Sequence, residues 1–132
     1  MDKDILAALA EIDSVNPYAT FLNNSALSEV DEWIDTGNYA LNAIISGSLY
    51  GGIPKGRIVQ FAGPSMTAKS YFILQILANA QKMGMTVVVF DSENAINQKT
   101  ALAFGLDPSK VKYVTSVTVE QTKNAIYKFL KG

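Results

Sequence analysis

The sequence, 132 residues long, contains no cysteine and no histidine. Without cysteine there is no disulfide framework and no thiolate metal site. Without histidine the commonest general base near neutral pH and the commonest zinc ligand are both gone, so a general base must be a carboxylate, a lysine or a tyrosine. An excess of one charge is missing too, with 11 basic residues against 12 acidic ones. A dedicated nucleic-acid-binding module carries a basic face, so this balance argues against one here, although a DNA-contacting part can lie elsewhere. No apolar run approaches the ~18 residues of a membrane span. The start, Met1-Asp2-Lys3-Asp4, is not the basic opening of a signal peptide. The cytoplasm is therefore the expected compartment. Hydrophobic residues make up 48% of the chain, enough for the core of one compact domain.

Apolar spacing predicts a helix from about Asp2 to Asp13, with Ile5, Leu9 and Ile12 on one face. Asn16-Pro17 ends it. The mixed segment to Gly37, with Asn23-Asn24-Ser25 inside it, reads as an arm, so the chain divides into an arm, 1–37, and a core, 38–132. A short helix is expected within Asn38–Ser48, then a turn at Gly51-Gly52-Ile53-Pro54-Lys55-Gly56. Arg57–Phe61 reads as a strand, Lys69–Met83 as a helix stopped by Gly84, and Thr86–Phe90 as a strand buried on both faces. A helix over Asn97–Phe104, a strand over Val111–Thr115 and a helix from Thr118 to about Leu130 follow. Thr118 and Gln121 carry a capping-box spacing, and Val119, Ala125, Ile126 and Phe129 form the expected inner face of that last helix. Strand and helix alternate, which predicts an α/β fold with a parallel sheet.

Between the first strand and its helix lies Gly63-Pro64-Ser65-Met66-Thr67-Ala68-Lys69-Ser70. A P-loop has glycine, four residues, glycine, lysine and a hydroxyl residue. The glycines let backbone N–H groups converge on phosphate oxygens, and the helix that follows aims its positive end there. Lys69 would reach the β- and γ-phosphates, and the hydroxyl of Ser70 would hold Mg²⁺. Ala68 stands in place of the second glycine. It is harmless if its backbone is right-handed, and costs about 1–2 kcal/mol if left-handed. The bland alternative is a glycine turn with Lys69 and Ser70 merely near a helix start.

The second strand ends in Asp91-Ser92-Glu93. Asp91 could hold Mg²⁺ through water as in a Walker B strand, or Glu93 could orient and deprotonate an attacking water. Both could instead simply cap a loop.

Taken together, Gly51–Gly56, Ala62-Gly63-Pro64-Ser65, Phe90-Asp91-Ser92-Glu93, Phe104-Gly105-Leu106-Asp107-Pro108, Val111 and Val119-Glu120-Gln121 resemble the RecA-family recombinases. The departure at Ala68 and the Asp-Ser-Glu triplet are most similar to the UvsX-like branch of T-even-type bacteriophages. The resemblance covers about Asn38 to Leu130. It implies a P-loop NTPase with a RecA-like core and mostly parallel sheet, ATP and Mg²⁺ as cofactors, and DNA-dependent ATPase activity. It makes Gly63 through Ala68 the phosphate cradle, Lys69 and Ser70 the ATP and Mg²⁺ contacts, and Glu93 the catalytic glutamate rather than Asp91 a Walker B residue. Seven positions after the glutamate the family has an aromatic residue that stacks on adenine. Thr100 occupies that position, and Asn97 is the remaining candidate for the adenine edge.

The resemblance also implies filaments on single-stranded DNA for homologous recombination and repair. Family members run well beyond this length, with a Walker B strand and two DNA-binding loops in the later part. The strand over Val111–Thr115 leads to Ser116, with no aspartate to substitute. The expectation is thus an N-terminal piece with an incomplete core and weak hydrolysis alone. Tyr18-Ala19-Thr20-Phe21-Leu22 resembles the element by which one subunit docks on the next, and could equally pack on its own domain. Two other functions stay in view: a nucleotide-binding accessory protein without catalysis, and part of a RecA-like hexameric helicase.

Overall fold

The computed structural model describes residues 3–21, 29–115 and 118–131. Leu22, Asn23, Asn24, Ser25 and Ser116 lie outside them. The chain forms two units, residues 1–31 and 32–132.

In the smaller unit, helix α1 (Lys3–Val15) follows the apolar spacing, and it runs two residues past Asp13. The turn at Asn16-Pro17 closes it, with the Asn16 side chain accepting the N–H of Tyr18 at 3.0 Å. No residue of α1 is buried, and Ile5 and Ile12 stay exposed.

The larger unit starts inside the expected arm. Strand β1 (Trp33–Ile34) pairs antiparallel with β2 (Ile53–Pro54), Trp33 opposite Pro54, and Lys55 closes the ribbon with an ion pair to Glu32. The sequence reading had neither strand, because two residues are too few for a period to show. Between them lies helix α2 (Tyr39–Ser46), capped by Asn38, whose side chain accepts the N–H of Leu41, and ended by left-handed Gly47. The buried side chain of Asn42 ties this substructure together. Its oxygen accepts the N–H and hydroxyl of Thr36, at 3.0 and 2.6 Å, and its amide donates to Asp35 and to the carbonyl of Leu49. Gly52 has to be glycine: its φ is 137°, and a Cβ there would stand 2.1 Å from the carbonyl oxygen of Ile34.

Residues 57–61 do not form the expected strand; they run as coil, with Ile58 fully exposed. A strand exists through ladder bonds to a neighbour, and no described strand pairs with this segment. Helix α3 (Lys69–Lys82), strand β3 (Val87–Asp91), helix α4 (Gln98–Ala103), a 3₁₀ turn (Pro108–Lys110), strand β4 (Val111–Thr115) and helix α5 (Val119–Lys131) then follow within a residue or two of expectation. β3 and β4 pair in parallel, Val87 beside Val111 and Asp91 beside Thr115. The architecture is α/β with two small sheets.

The core lies where α3 and α4 meet this parallel pair, around Leu74, Ala78, Val87, Ala101 and Leu106. Gln81 fastens α3 to the turn before β4: its amide donates to the carbonyl of Asp107 and its oxygen accepts that residue's N–H. Two burial expectations fail. In β3 only Val87 is buried, so the strand is not covered on both faces. In α5 nothing is buried, and Val119, Ile126 and Phe129 of its expected inner face are exposed. An apolar face is buried only against another element, and among the described residues no element packs extensively on α5.

Candidate functional site

The loop after Phe61 turns into α3 at Ala68, which is the N-cap of that helix with φ 62° and ψ 16°. Met66, at φ 65°, is left-handed as well. Left-handed backbone costs a residue with a Cβ about 1–2 kcal/mol. The conditional reading of Ala68 thus resolves on its costly side; the second strained residue, Met66, carried no signal in the sequence. Because alanine has no polar side chain, α3 has no side-chain cap. The N–H groups of a helix's first turn lack partners within the helix and point outward with the positive end of its dipole.

The loop is closed on itself. The hydroxyl of Thr67 donates to the carbonyl of Pro64 at 2.8 Å. Lys69 folds its ammonium back over the loop and donates to the carbonyls of Gly63, at 2.9 Å, and Pro64, at 2.6 Å. A Cβ on Gly63 would stand 3.2 Å from the Thr67 hydroxyl, tighter than most real contacts, so that hydroxyl would have to give way. Glycine there keeps the cradle open. Gly63, Pro64, Thr67 and Lys69 border a groove of about 460 Å³ whose other walls include Leu41, Phe61 and Phe72. Ser65 and Met66 face solvent, as does Ser70 in the first turn of α3. The set fits a phosphate chain: a cationic side chain, a glycine cradle and an uncapped helix start. For a metal, Ser70 offers one hydroxyl. Among the described residues no group of three or more His, Cys, Asp or Glu side chains could hold a metal ion.

At the end of β3, Asp91 is a structural clasp. Its carboxylate accepts the N–H groups of Glu93 at 2.9 Å, Ala95 at 2.9 Å and Ile96 at 3.1 Å, and the hydroxyl of Tyr113 at 2.8 Å. Burial works against its charge, but the Tyr113 hydroxyl and the three N–H groups outweigh it and hold the carboxyl below its ordinary range. The same bond from Asp91 raises the Tyr113 phenol. The loop-capping alternative describes Asp91. Its short-range part was legible, since aspartate commonly binds the N–H two residues on; the partner on β4 was not. Glu93 is exposed. Asn97 caps α4, its side-chain oxygen accepting the N–H and hydroxyl of Thr100. The structure brings Gly63, Pro64, Thr67 and Lys69 together around one groove; Ser65, Met66, Ala68, Ser70, Glu93 and Asn97 do not line it.

The model of the RecA N-terminal domain matches residues 3–131. The chain belongs to this RecA family. It is 32% identical to the protein RecA of Legionella pneumophila (strain Corby) over 121 residues, 90% of this chain and 34% of that protein. Against the RecA of Rickettsia bellii the identity is 33%, over 80% of this chain and 30% of the relative. Against that of Streptomyces coelicolor it is 36%, over 80% and 28%. The chain thus spans about a third of the length of these RecA proteins. They are bacterial proteins, so the family is established at that level.

Proposed function

We propose that this chain is the ATP-binding part of a DNA strand-exchange recombinase, with residues 63–70 as its phosphate loop in a P-loop, RecA-like core. The observation that carries the reading is the closed turn at an uncapped helix start, with the Lys69 ammonium folded into it. Gly63, Ser65, Met66, Thr67 and Ala68 present backbone N–H groups around the bend that Pro64 sets, Lys69 exchanges its two carbonyls for phosphate oxygens, and Ser70 would give its hydroxyl to Mg²⁺. Bound ATP supplies the energy of the γ-phosphoryl bond. Glu93 orients and deprotonates the attacking water, and Asn97, whose amide hydrogens have no partner among the described residues, donates to the adenine edge. Residues 1–37 act as an arm that docks on a neighbouring subunit, giving filaments on single-stranded DNA in the cytoplasm for recombination and repair. Ala68 and the Asp91-Ser92-Glu93 triplet support placement in the UvsX-like phage branch.

Calorimetric titration tests this reading. The chain is expected to bind ATP with Mg²⁺, and Lys69→Ala to abolish the binding. Unchanged affinity in that variant would sink the phosphate-loop assignment.

One observation favours a second reading, a nucleotide-binding accessory protein without catalysis: Glu93 does not line the groove that Lys69 borders. Glu93→Gln separates the two. Loss of ATP turnover with binding intact supports catalysis, and turnover that does not change with the substitution supports the accessory role.

A further inference from the structure

Thr67 stands between two residues with left-handed backbone, Met66 at φ 65° and Ala68 at φ 62°. Both carry a Cβ, so both positions are strained. A strained loop keeps its shape only where other contacts hold it. The side-chain bonds that hold this one end on two carbonyls. The Thr67 hydroxyl donates to Pro64 at 2.8 Å, and the Lys69 ammonium donates to Gly63 at 2.9 Å and to Pro64 at 2.6 Å. The Pro64 carbonyl thus accepts from two side chains. Thr67 also lines the groove with Gly63, Pro64 and Lys69. Its hydroxyl lies so close over the start of the loop that a Cβ on Gly63 would stand 3.2 Å from it.

The two bonds on the Pro64 carbonyl have different fates when phosphate arrives. Lys69 leaves it for phosphate oxygens, and the Thr67 hydroxyl stays. The proline ring fixes φ at Pro64 but leaves its ψ free, so the ring alone does not aim that carbonyl. Because the peptide unit is planar, a held carbonyl fixes the whole plane that joins Pro64 to Ser65. A carbonyl oxygen released toward the groove would repel the phosphate oxygens that the N–H groups attract.

We propose that Thr67 is a positioning residue of the phosphate site, its hydroxyl holding the Pro64 carbonyl in place once Lys69 has left it. This rests on residues 63–70 being a phosphate loop. Thr67 acts on the ligand through the backbone of the loop. In the free protein its bond is one of two on that carbonyl, and its loss is covered by Lys69. In the complex it stands alone. The hydroxyl therefore contributes to affinity and hardly at all to stability, the reverse of what a merely structural bond does.

The test uses the full chain, Thr67→Val, which keeps the branched shape without the hydroxyl, and Thr67→Ser, which keeps the hydroxyl without the methyl. Each is titrated calorimetrically with ATP and with inorganic tripolyphosphate, both with Mg²⁺, and unfolded in urea without ligand. Thr67→Val is expected to weaken both ligands about fivefold, the scale of one hydrogen bond, at an unchanged urea midpoint. Thr67→Ser restores the wild-type affinity. An unchanged affinity in Thr67→Val overturns the proposal. A loss in Thr67→Ser equal to that in Thr67→Val overturns it in favour of the methyl group's packing. A weaker affinity accompanied by a lower urea midpoint overturns it in favour of a bond that supports the fold in general. A wild-type chain that binds neither ligand removes the phosphate-loop reading, and this proposal with it.

Discussion

Ala68 shows how a single residue can keep a motif while straining it. Its left-handed backbone costs about 1–2 kcal/mol, and glycine there would remove that cost while losing about 0.5–1 kcal/mol to its freer unfolded chain. Ala68→Gly is therefore expected to stabilise the protein by about 0.5–1 kcal/mol, read as a higher urea midpoint at an unchanged slope. An equal or lower midpoint would mean that the loop stores no strain. Asp91 makes a second residue-scale case, through pH. Its folded pKa lies below the unfolded value of 3.8. Its contribution to stability is therefore whole above that value and is lost as pH falls through the lower folded pKa. Tyr113 works the other way: raised above 10.0, it contributes below that value and stops as pH rises through the folded one. Asp91→Asn is expected to lower stability at neutral pH and to flatten the acid limb as pH falls through and below 3.8 in denaturation followed by circular dichroism. An acid limb as steep as that of the wild type would show that other carboxylates set it.

Among the elements, α2 and the ribbon of β1 and β2 depend on one buried amide. Truncating Asn42 leaves the N–H and hydroxyl of buried Thr36 and the carbonyl of Leu49 without this partner. Each such loss costs about 1–3 kcal/mol, partly relieved by water. Asn42→Ala is expected to destabilise by about 3 kcal/mol, with fast amide exchange at Thr36 as its local sign. Protection of the Thr36 amide equal to that in the wild type would refute the network's role. The existence of these elements was unevenly legible. The apolar residues within Asn38–Ser48 announced α2, and the β-branched run from Thr86 to Phe90 announced β3. The two-residue strands were invisible, because pairing Ile34 with Ile53 and Trp33 with Pro54, far apart in sequence, leaves no local trace. The strand expected at 57–61 carried a proper local pattern, and the described fold pairs no strand with it.

At the scale of the whole molecule, apolar surface is left uncovered in both units: Ile5 and Ile12 on α1, and Val119, Ile126 and Phe129 on α5. Phe90, Val119, Ile126 and Leu130 line a groove of about 830 Å³. With a net charge of −1 there is little repulsion to keep copies apart. The chain is expected to self-associate in sedimentation velocity, and removal of residues 1–24 to return it to monomer. Identical sedimentation with and without the arm would take the arm out of assembly and leave the α5 groove as the contact to test.

The sequence by itself determined the order and type of most elements, the phosphate-loop pattern, and the family, because caps, β-branched runs and glycine–lysine spacing act over a few residues and are written locally. Tertiary structure decided two things that local chemistry leaves open. It set Ala68 left-handed, and it brought Tyr113 from β4 onto the carboxylate of Asp91. Each of these depends on a partner distant in sequence or on a backbone angle that alanine permits but does not announce. The loop at Gly63 to Ser70 could be read off the chain; what stands around it could not.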